Sequence, residues 1–256
     1  MRIIYAPHGH AGEYAELACS LYTTCPHGCR YCYCPGVLHV TREEFDRPGE
    51  PRLNVLRGLE ADCQSMRERG DTRRVHLCFI GDPYPPHESQ TQVTRMALEL
   101  LCMHGIPAQV LTKGGMCASR DFGLMAEYGI HFGQSIAFTD DADRERWEPN
   151  ATTLPERLLA LEEAHAQGIR TWVSLEPIVF PEQALALIDM LSEYVSEWRV
   201  GKLNHVALAD SIDWGATAQQ VYEALQECGC SYYIKDDLAE YLPASACTVY
   251  VAPEAD

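Results

Sequence analysis

Three cysteines lie within one stretch of eight residues, CPHGCRYC, which runs from Cys25 to Cys32. Their spacing is C-x3-C-x2-C, with Tyr31 directly before the third cysteine and a fourth thiol, Cys34, two residues beyond it. A structural zinc site needs four ligands, which usually come as two separated pairs. Cysteine thiolates are also the usual ligands of iron–sulfur clusters. The stretch therefore supplies thiolates for three irons of a cubane cluster and leaves the fourth iron open.

The spacing and the aromatic residue resemble the signature of the radical S-adenosylmethionine (radical SAM) enzymes. The resemblance implies that Cys25, Cys29 and Cys32 hold a [4Fe-4S] cluster whose open iron chelates SAM. It implies reductive cleavage of SAM to a 5′-deoxyadenosyl radical, which abstracts a hydrogen atom from a substrate. It also implies that Tyr31 lies against the adenine, and that a flavodoxin- or ferredoxin-type protein donates the electron. The alternative is a non-catalytic zinc or iron–sulfur binding module.

The elements around this loop alternate between short apolar runs and helical patterns. We predict strands at 16–23, 75–81, 107–114, 130–138, 169–178 and 200–208, and a further short strand at 231–238. We predict helices at 53–69, 90–104, 119–128, 155–167, 181–195 and 216–228, and loops at 26–36, 40–51 and 139–151. This alternation predicts an α/β fold of parallel strands with right-handed crossovers, built as an open, partial (β/α)6 TIM-like barrel.

The chain has no linker, low-complexity tract or repeat of fixed period that would divide it. We therefore predict one domain over residues 1–256. Its core would span about 16–210, and residues 211–256 would form a C-terminal extension that packs on the barrel.

Polar residues toward the C-terminal ends of the predicted strands are candidates, because barrel enzymes carry their chemistry there. After the cysteine loop, these candidates are Asp82, Tyr84, Thr112, Lys113, Ser135, Ser174, Glu176, Lys202 and Asn204. Side chains alternate along a strand, so only one of Gln134 and Ser135 can point inward. We favour Ser135.

Six motifs resemble the branch of the superfamily around spore photoproduct lyase, and the resemblance covers roughly residues 18 to 180. They are GDPYPPHE (81–88), TR (94–95), LTKGG (111–115), SRD (119–121), WEP (147–149) and SLEPI (174–178). The resemblance implies that Asp82 binds the SAM amino group, and it adds Tyr84, Lys113, Ser135 and Glu176 as cofactor-binding candidates. Lys113 and Glu176 could equally contact the substrate and are catalytic candidates as well. Gly81 stands where the branch has Thr, and the lyase's dedicated thiol hydrogen donor has no firm counterpart, so the resemblance does not extend to repair of a thymine photodimer.

Several other cysteines leave two readings open. Cys34 is a catalytic candidate, because a thiol beside the cluster loop could donate a hydrogen atom to a substrate radical, or it could be inert. The same alternatives apply to Cys117. Cys228, Cys230 and Cys247 form a C-x-C…C set that could bind a second metal or simply pack.

The composition limits the partners. The chain has 37 acidic and 20 basic residues and a net charge of −17. Proteins that grip nucleic acids usually carry a basic surface, so the charge favours a small-molecule or protein substrate, with nucleic-acid modification or repair as the alternative. No apolar run approaches the roughly 18 residues of a membrane span, and the N-terminus has no signal-peptide pattern. We expect a cytoplasmic protein with no membrane partner.

Overall fold

The strands of the computed structural model, which describes residues 2–252, form one sheet in chain order. They are β1 (Ile4–Tyr5), β2 (Leu17–Cys19), β3 (Val75–Leu77), β4 (Ala108–Thr112), β5 (His131–Ser135), β6 (Thr171–Ile178), β7 (Glu197–Lys202), β8 (Ser231–Ile234) and β9 (Val249–Tyr250). Strands β2 to β8 pair in parallel, whereas β1 and β9 pair antiparallel at the two edges. The carboxyl ends of the seven parallel strands therefore meet at one edge of the sheet.

Helices connect the parallel strands and cover the outside of the sheet. They are α1 (Cys34–Leu38), α2 (Arg42–Phe45), α3 (Val55–Arg69), α4 (Glu88–Thr91), α5 (Val93–Met103), α6 (Phe122–Tyr128), α7 (Asp141–Trp147), α8 (Leu154–Ala166), α9 (Pro181–Leu191), α10 (Trp214–Cys228) and α11 (Asp236–Ala239). Short 3₁₀ helices lie at Gly9–Ala11, Gly115–Asp121 and Ala207–Ser211. Helix α8 begins with a capping box between Thr153 and Glu156, which satisfies amide groups that the first turn leaves free.

The predicted α/β fold of parallel strands is confirmed, and the sheet is consistent with a partial TIM-like barrel. Several bounds were wrong. Strands β2 and β3 end at Cys19 and Leu77 rather than at 23 and 81. Strand β7 spans Glu197–Lys202 rather than 200–208, and His205 beyond it has a left-handed φ of 64°. The predicted loop 26–36 runs into α1, and the predicted loop 40–51 contains α2, which the capping box of Thr41 and Glu44 starts. The segment 139–151 contains α7 instead of being all loop, because the Asp140 carboxylate caps that helix by accepting from the Asp143 N–H at 3.0 Å.

The interior of the barrel below the strand ends is filled by aromatic side chains. The rings of His76 and Phe79 lie 4.4 Å apart, and both pack near Tyr14. Trp172 lies against Gly133, where a Cβ atom would come within 2.3 Å of its Cε2. Burial lowers the pKa of His76 to about 3, so His76 is uncharged at neutral pH. The charged side chain beside these rings is that of Arg199 in β7.

Residues of the predicted C-terminal extension join the same sheet. Strand β8 pairs with β7, and α10 packs on α9. Residues 1 and 253–256 lie outside the described residues, and the division into a core and an extension stays a prediction. No helix within residues 2–252 combines the length and the apolar character needed to cross a membrane.

Candidate functional site

A cavity of about 460 Å³ opens at the carboxyl ends of the parallel strands. Most of the residues predicted from the strand ends line it: Cys25, Cys29, Tyr31, Cys32, Cys34, Asp82, Thr112, Lys113, Ser135, Ser174, Glu176, Lys202 and Asn204. Gln134 is fully buried and does not line the cavity, whereas Ser135 does. The structure therefore brings the cysteine loop and five later strand ends to one site.

The cysteine loop is held in place by contacts with distant segments. The N–H of Cys25 donates to the carbonyl of Phe45 in α2 at 3.0 Å, and the N–H of Arg30 donates to that of Trp147 in α7 at 2.8 Å. Gly28 has a φ of 66°, in the left-handed region that glycine adopts without strain. These contacts set the loop over the end of β2 with its cysteines facing the cavity.

The three cysteines are unbridged thiols, and Cys29 is buried. In residues 2–252, no three His, Cys, Asp or Glu side chains converge closely enough to hold one metal ion. A mononuclear zinc site needs ligands that meet at one point, whereas each thiolate of a cubane cluster binds a different iron. Cys25, Cys29 and Cys32 line one cavity, and three thiolates are a donor set that fits such a cluster.

A buried network joins Tyr31 of the cysteine loop to the ends of β4 and β5. The hydroxyl of Tyr31 donates to Oε1 of Glu148, whose Oε2 accepts from Arg157 at 2.6 Å. Nζ of Lys113 lies 3.6 Å from Glu148 Oε1 and 5.7 Å from the centre of the Tyr31 ring, and it donates to Ser135 Oγ. Glu148 thus fixes the Tyr31 ring and holds the Lys113 ammonium beside it.

Glu148 is fully buried in this network. Burial alone raises the pKa of a carboxyl, but the charges of Arg157 and Lys113 and the hydrogen bonds from Tyr31 and Arg157 lower the pKa of Glu148 to about 2. The group is therefore ionised at neutral pH. Its negative charge lies beside the buried guanidinium of Arg157 and the half-buried ammonium of Lys113, the two cations that it partly neutralises.

Asp82 lies at the cavity wall and is 6% exposed. Its carboxylate oxygens already accept hydrogen bonds from three donors of the protein. Oδ1 accepts from the hydroxyl of Thr112 at 2.5 Å and from the N–H of Tyr84 at 2.8 Å, and Oδ2 accepts from the N–H of Lys113 at 2.7 Å. Nε2 of His27 is 3.0 Å from Oδ2. Burial raises the pKa of Asp82, but the nearby His27 and these hydrogen bonds lower it overall. Asp82 thereby ties the cysteine loop to the ends of β3 and β4.

Tyr84 is the predicted cofactor-binding residue that the structure does not bring to the cavity. It is fully buried, and its hydroxyl donates to Asp121 Oδ2 at 2.8 Å. Its N–H bonds to Asp82 two residues earlier, which closes a tight turn and directs the ring into the core. Gly114 packs against it, since a Cβ there would come within 2.6 Å of the Tyr84 carbonyl oxygen.

Glu176 lies at the opposite side of the cavity with two partners that sequence reasoning missed. Its Oε1 accepts from Lys235 Nζ at 2.7 Å, and its Oε2 accepts from the Tyr14 hydroxyl. That hydroxyl is also 2.7 Å from Ser174 Oγ. Burial first and the Glu176 charge second raise the pKa of Tyr14, so its proton stays in place. Lys235 is 2% exposed and ends a strand, a position that could have marked it as a candidate.

The remaining cysteines differ in their access to the cavity. Cys34 lines it, is buried, and its thiol lies 3.4 Å from the Phe79 carbonyl. Cys78, at the end of β3, also lines it, although the sequence reads as a buried strand there. Cys117 is exposed and does not line it. Cys228, Cys230 and Cys247 do not meet at a three-ligand metal site within the described residues.

The model of the radical SAM superfamily matches residues 19–193, from β2 to just beyond α9. The chain belongs to the radical SAM superfamily. It is therefore an enzyme of a class whose members use SAM and an iron–sulfur cluster. No match was found among the curated proteins.

Solved structures of other proteins share the fold. Streptococcus suis SuiB bound to S-adenosylmethionine aligns with a TM-score of 0.64 at 14% identity, over 87% of this chain and 51% of SuiB. Spore photoproduct lyase complexed with dinucleoside spore photoproduct aligns with a TM-score of 0.67 at 13% identity, over 90% of this chain and 78% of the lyase. The chain spans about half the length of SuiB, and at these identities the likeness concerns the fold.

Proposed function

We propose that this chain binds a [4Fe-4S] cluster through Cys25, Cys29 and Cys32 and uses it with SAM to abstract a hydrogen atom from a substrate. The observation that carries the proposal is the convergence of the three cysteines and the later strand ends on one cavity. When bound, the reduced cluster supplies the electron that cleaves SAM to methionine and a 5′-deoxyadenosyl radical. The protein's own residues bind, orient and enclose the reactants.

Tyr31, Lys113 and Ser135 form the proposed SAM-binding side of the cavity. The Tyr31 ring stacks on Trp147 at 6.5 Å with an interplanar angle of 27°, and its hydroxyl is held by Glu148. A ring fixed in this way offers a flat wall to the adenine. Lys113 has a half-buried ammonium that can neutralise a carboxylate, and the Ser135 hydroxyl beside it can bond to the ribose or to the carboxylate end of SAM.

Asp82 is proposed to interact with the SAM amino group. A carboxylate has about four acceptor positions, and the N–H and O–H donors of the protein take three of those of Asp82. His27 Nε2 also lies 3.0 Å from Oδ2, so attraction of the negative charge of Asp82 for the ammonium, rather than a new hydrogen bond, is the main contribution we expect. Tyr84 would act on the cofactor only by holding the Asp82 turn.

Glu176 and Cys34 remain the proposed residues for chemistry at the substrate. Glu176 is held by Lys235 and Tyr14 in a fixed orientation with 22% of its side chain exposed, which suits a group that binds a polar substrate atom. Cys34 lines the cavity next to the cluster loop and is the proposed hydrogen donor to a substrate radical. A flavodoxin- or ferredoxin-type protein is the proposed source of the electron.

The net charge of −17 supports a small-molecule or protein substrate. Among proteins of similar fold, SuiB has been solved bound to the precursor peptide SuiA, with a TM-score of 0.62 at 13% identity. Nucleic-acid modification or repair is the second candidate, and the fold likeness to the lyase complexed with dinucleoside spore photoproduct favours it. A gel-shift assay at low salt separates the two, because a nucleic-acid enzyme must bind an oligonucleotide there.

The experiment that tests the main proposal is anaerobic reconstitution followed by reduction in the presence of SAM. We expect about four irons per chain, as a cubane cluster requires, and formation of 5′-deoxyadenosine and methionine. Cys29→Ala should lose both the iron and the products. Cys117→Ala is the matched control, because it removes an exposed thiol that does not line the cavity. A protein that takes up zinc alone, or iron without SAM cleavage, would contradict the proposal.

A further inference from the structure

The lysines of this chain are distributed unlike its arginines. The sequence contains 17 arginines but only three lysines, Lys113, Lys202 and Lys235. All three lysines line the strand-end cavity, at the ends of β4, β7 and β8. Both residue types serve equally well as solvated surface cations, so this segregation is not explained by solubility. It indicates that the ammonium groups serve the cavity.

Two of the three ammonium groups lie beside a carboxylate. Lys113 Nζ lies 3.6 Å from Glu148, and Lys235 Nζ lies 2.7 Å from Glu176. Within residues 2–252, Lys202 makes no ion pair, since no carboxylate oxygen of that region lies within 4.0 Å of its Nζ. In a chain with 37 acidic residues, the cavity thus keeps one half-buried cation available.

Aromatic rings rather than a carboxylate hold the Lys202 ammonium. Nζ lies 5.1 Å from the centre of the Tyr241 ring and 5.8 Å from that of Trp214. The Tyr241 hydroxyl is 3.4 Å from Nζ. Cation–π contacts of this kind position an ammonium but leave its charge uncompensated. The side chain is therefore oriented before any ligand arrives.

Lys202 stands at the junction of two cavities. A groove of about 560 Å³ adjoins the main cavity and shares with it the segment 202–205. Trp214, Tyr241 and the 3₁₀ helix Ala207–Ser211 form much of the groove. A ligand that extends from the cluster side of the main cavity toward the groove would pass the Lys202 ammonium.

The segment after Lys202 is held in a defined conformation. The Asn204 amide donates to the Lys202 carbonyl at 3.3 Å and to Asp237 Oδ2 at 2.6 Å. His205 follows with a left-handed φ of 64°, which costs free energy in a residue with a side chain. The groove also contains the carboxylate of Asp210, which disfavours further negative charge beyond Lys202.

We propose that Lys202 binds an anionic group, a carboxylate or a phosphate, of a small-molecule substrate. The inference rests on the proposed function only in calling the ligand a substrate. The anion forms a charge-assisted hydrogen bond with the positioned ammonium, while the rest of the molecule reaches toward the cysteine loop. Lys202 has no carboxylate partner in residues 2–252 and Asp210 lies beyond it in the groove, so the site favours a ligand with its negative charge concentrated at the Lys202 end.

Because the chain has three lysines, acylation of each can be followed by mass spectrometry on the reconstituted protein. The probes are inorganic pyrophosphate, succinate and, as the neutral control, glycerol, all at low ionic strength. We expect an anion to slow acylation of Lys202 severalfold and saturably, with no slowing at Lys235. Protection by pyrophosphate alone identifies a phosphate site, and protection by succinate alone identifies a carboxylate site. Equal acylation of Lys202 with and without both anions would overturn the proposal.

Variants test the same site by calorimetric titration of the protecting anion. Lys202→Gln should weaken binding by about tenfold or more, because a hydrogen bond to a charged group is lost, and Lys202→Arg should retain most of it. Arg57→Gln is the matched control, since it removes an exposed positive charge on α3. Equal affinities of Lys202→Gln and Arg57→Gln would contradict the proposal. SAM cleavage without anion binding would refute this inference alone, and anion binding without SAM cleavage would refute the proposed function alone.

Discussion

Replacement of Glu148 by glutamine should both destabilise the protein and loosen the SAM-binding side of the cavity. The substitution keeps the shape of the side chain and removes its charge. Arg157, only 2% exposed, then loses its carboxylate partner at 2.6 Å, and Lys113 loses the charge at 3.6 Å. The Tyr31 hydroxyl keeps an acceptor only if the new amide turns its oxygen toward it.

The magnitude follows from the ionisation of Glu148. The difference between its ordinary pKa of 4.5 and its value of about 2 in the folded protein corresponds to about 3 kcal/mol of preferential interaction with the charged form. Breaking a buried ion pair by removing one partner costs roughly 3–5 kcal/mol. We therefore expect the free energy of unfolding at pH 7 to fall by about 3 kcal/mol in the Glu148→Gln variant.

The pH dependence has a definite direction. The pKa of Glu148 is lowered by folding, so its contribution is present above pH 4.5 and is lost as the pH falls toward about 2. Many other carboxyls titrate in the same range, so the informative quantity is the difference between the parent protein and Glu148→Gln. That difference should shrink toward zero between pH 4.5 and about 2.

Urea denaturation followed by circular dichroism, with thiols reduced and no cluster present, measures these quantities. Arg157→Met and the double variant complete a double-mutant cycle that isolates the pair. A loss below about 1 kcal/mol at pH 7 would refute this account of the network, as would a coupling energy near zero or a difference that does not change with pH. Glu145→Gln, which alters an exposed carboxylate on α7, is the control and should change stability by less than about 0.5 kcal/mol.

Three further changes have expected outcomes. Gly133→Ala should lower the free energy of unfolding by roughly 1–3 kcal/mol in the same denaturation assay, because a Cβ would lie 2.3 Å from Trp172 Cε2. An unchanged midpoint would show that the Trp172 ring moves freely. Lys235→Met should destabilise by less than Glu148→Gln, because the Glu176 left behind has 22% of its side chain exposed to water; a larger loss would contradict this ranking. Cys34→Ala should keep the full iron content, measured by colorimetric iron assay, since only the triad is proposed to ligate; loss of iron would make Cys34 a ligand.

Local patterns predicted the part of the site that depends on spacing alone. The three cysteines lie on one loop, so their convergence needed no knowledge of distant contacts. The strand ends were predictable because parallel strands joined by crossovers bring their carboxyl ends to one edge. Lys202 was also predicted at the cavity, although the predicted strand ran on to 208. The observed β7 ends at Lys202, and this residue lines the cavity.

The contacts between distant segments were not predictable. Tyr14 precedes β2, yet its hydroxyl reaches Ser174 and Glu176, some 160 residues later in the chain. Lys235 ends a strand that reads as peripheral in sequence and joins the site only because β8 pairs with β7. Tyr84 was expected at the cavity because it follows a strand, but the hydrogen bond from its own N–H to Asp82 directs it inward.

Mössbauer spectroscopy of protein reconstituted with ⁵⁷Fe tests the central claim most directly, because it reports on each iron of the cluster. Three cysteines at the C-x3-C-x2-C loop leave one of about four irons without a protein thiolate. Addition of SAM should change the signal of about a quarter of the iron and leave the rest as it was. A spectrum in which SAM changes no iron, or in which all the iron shifts together, would contradict the account.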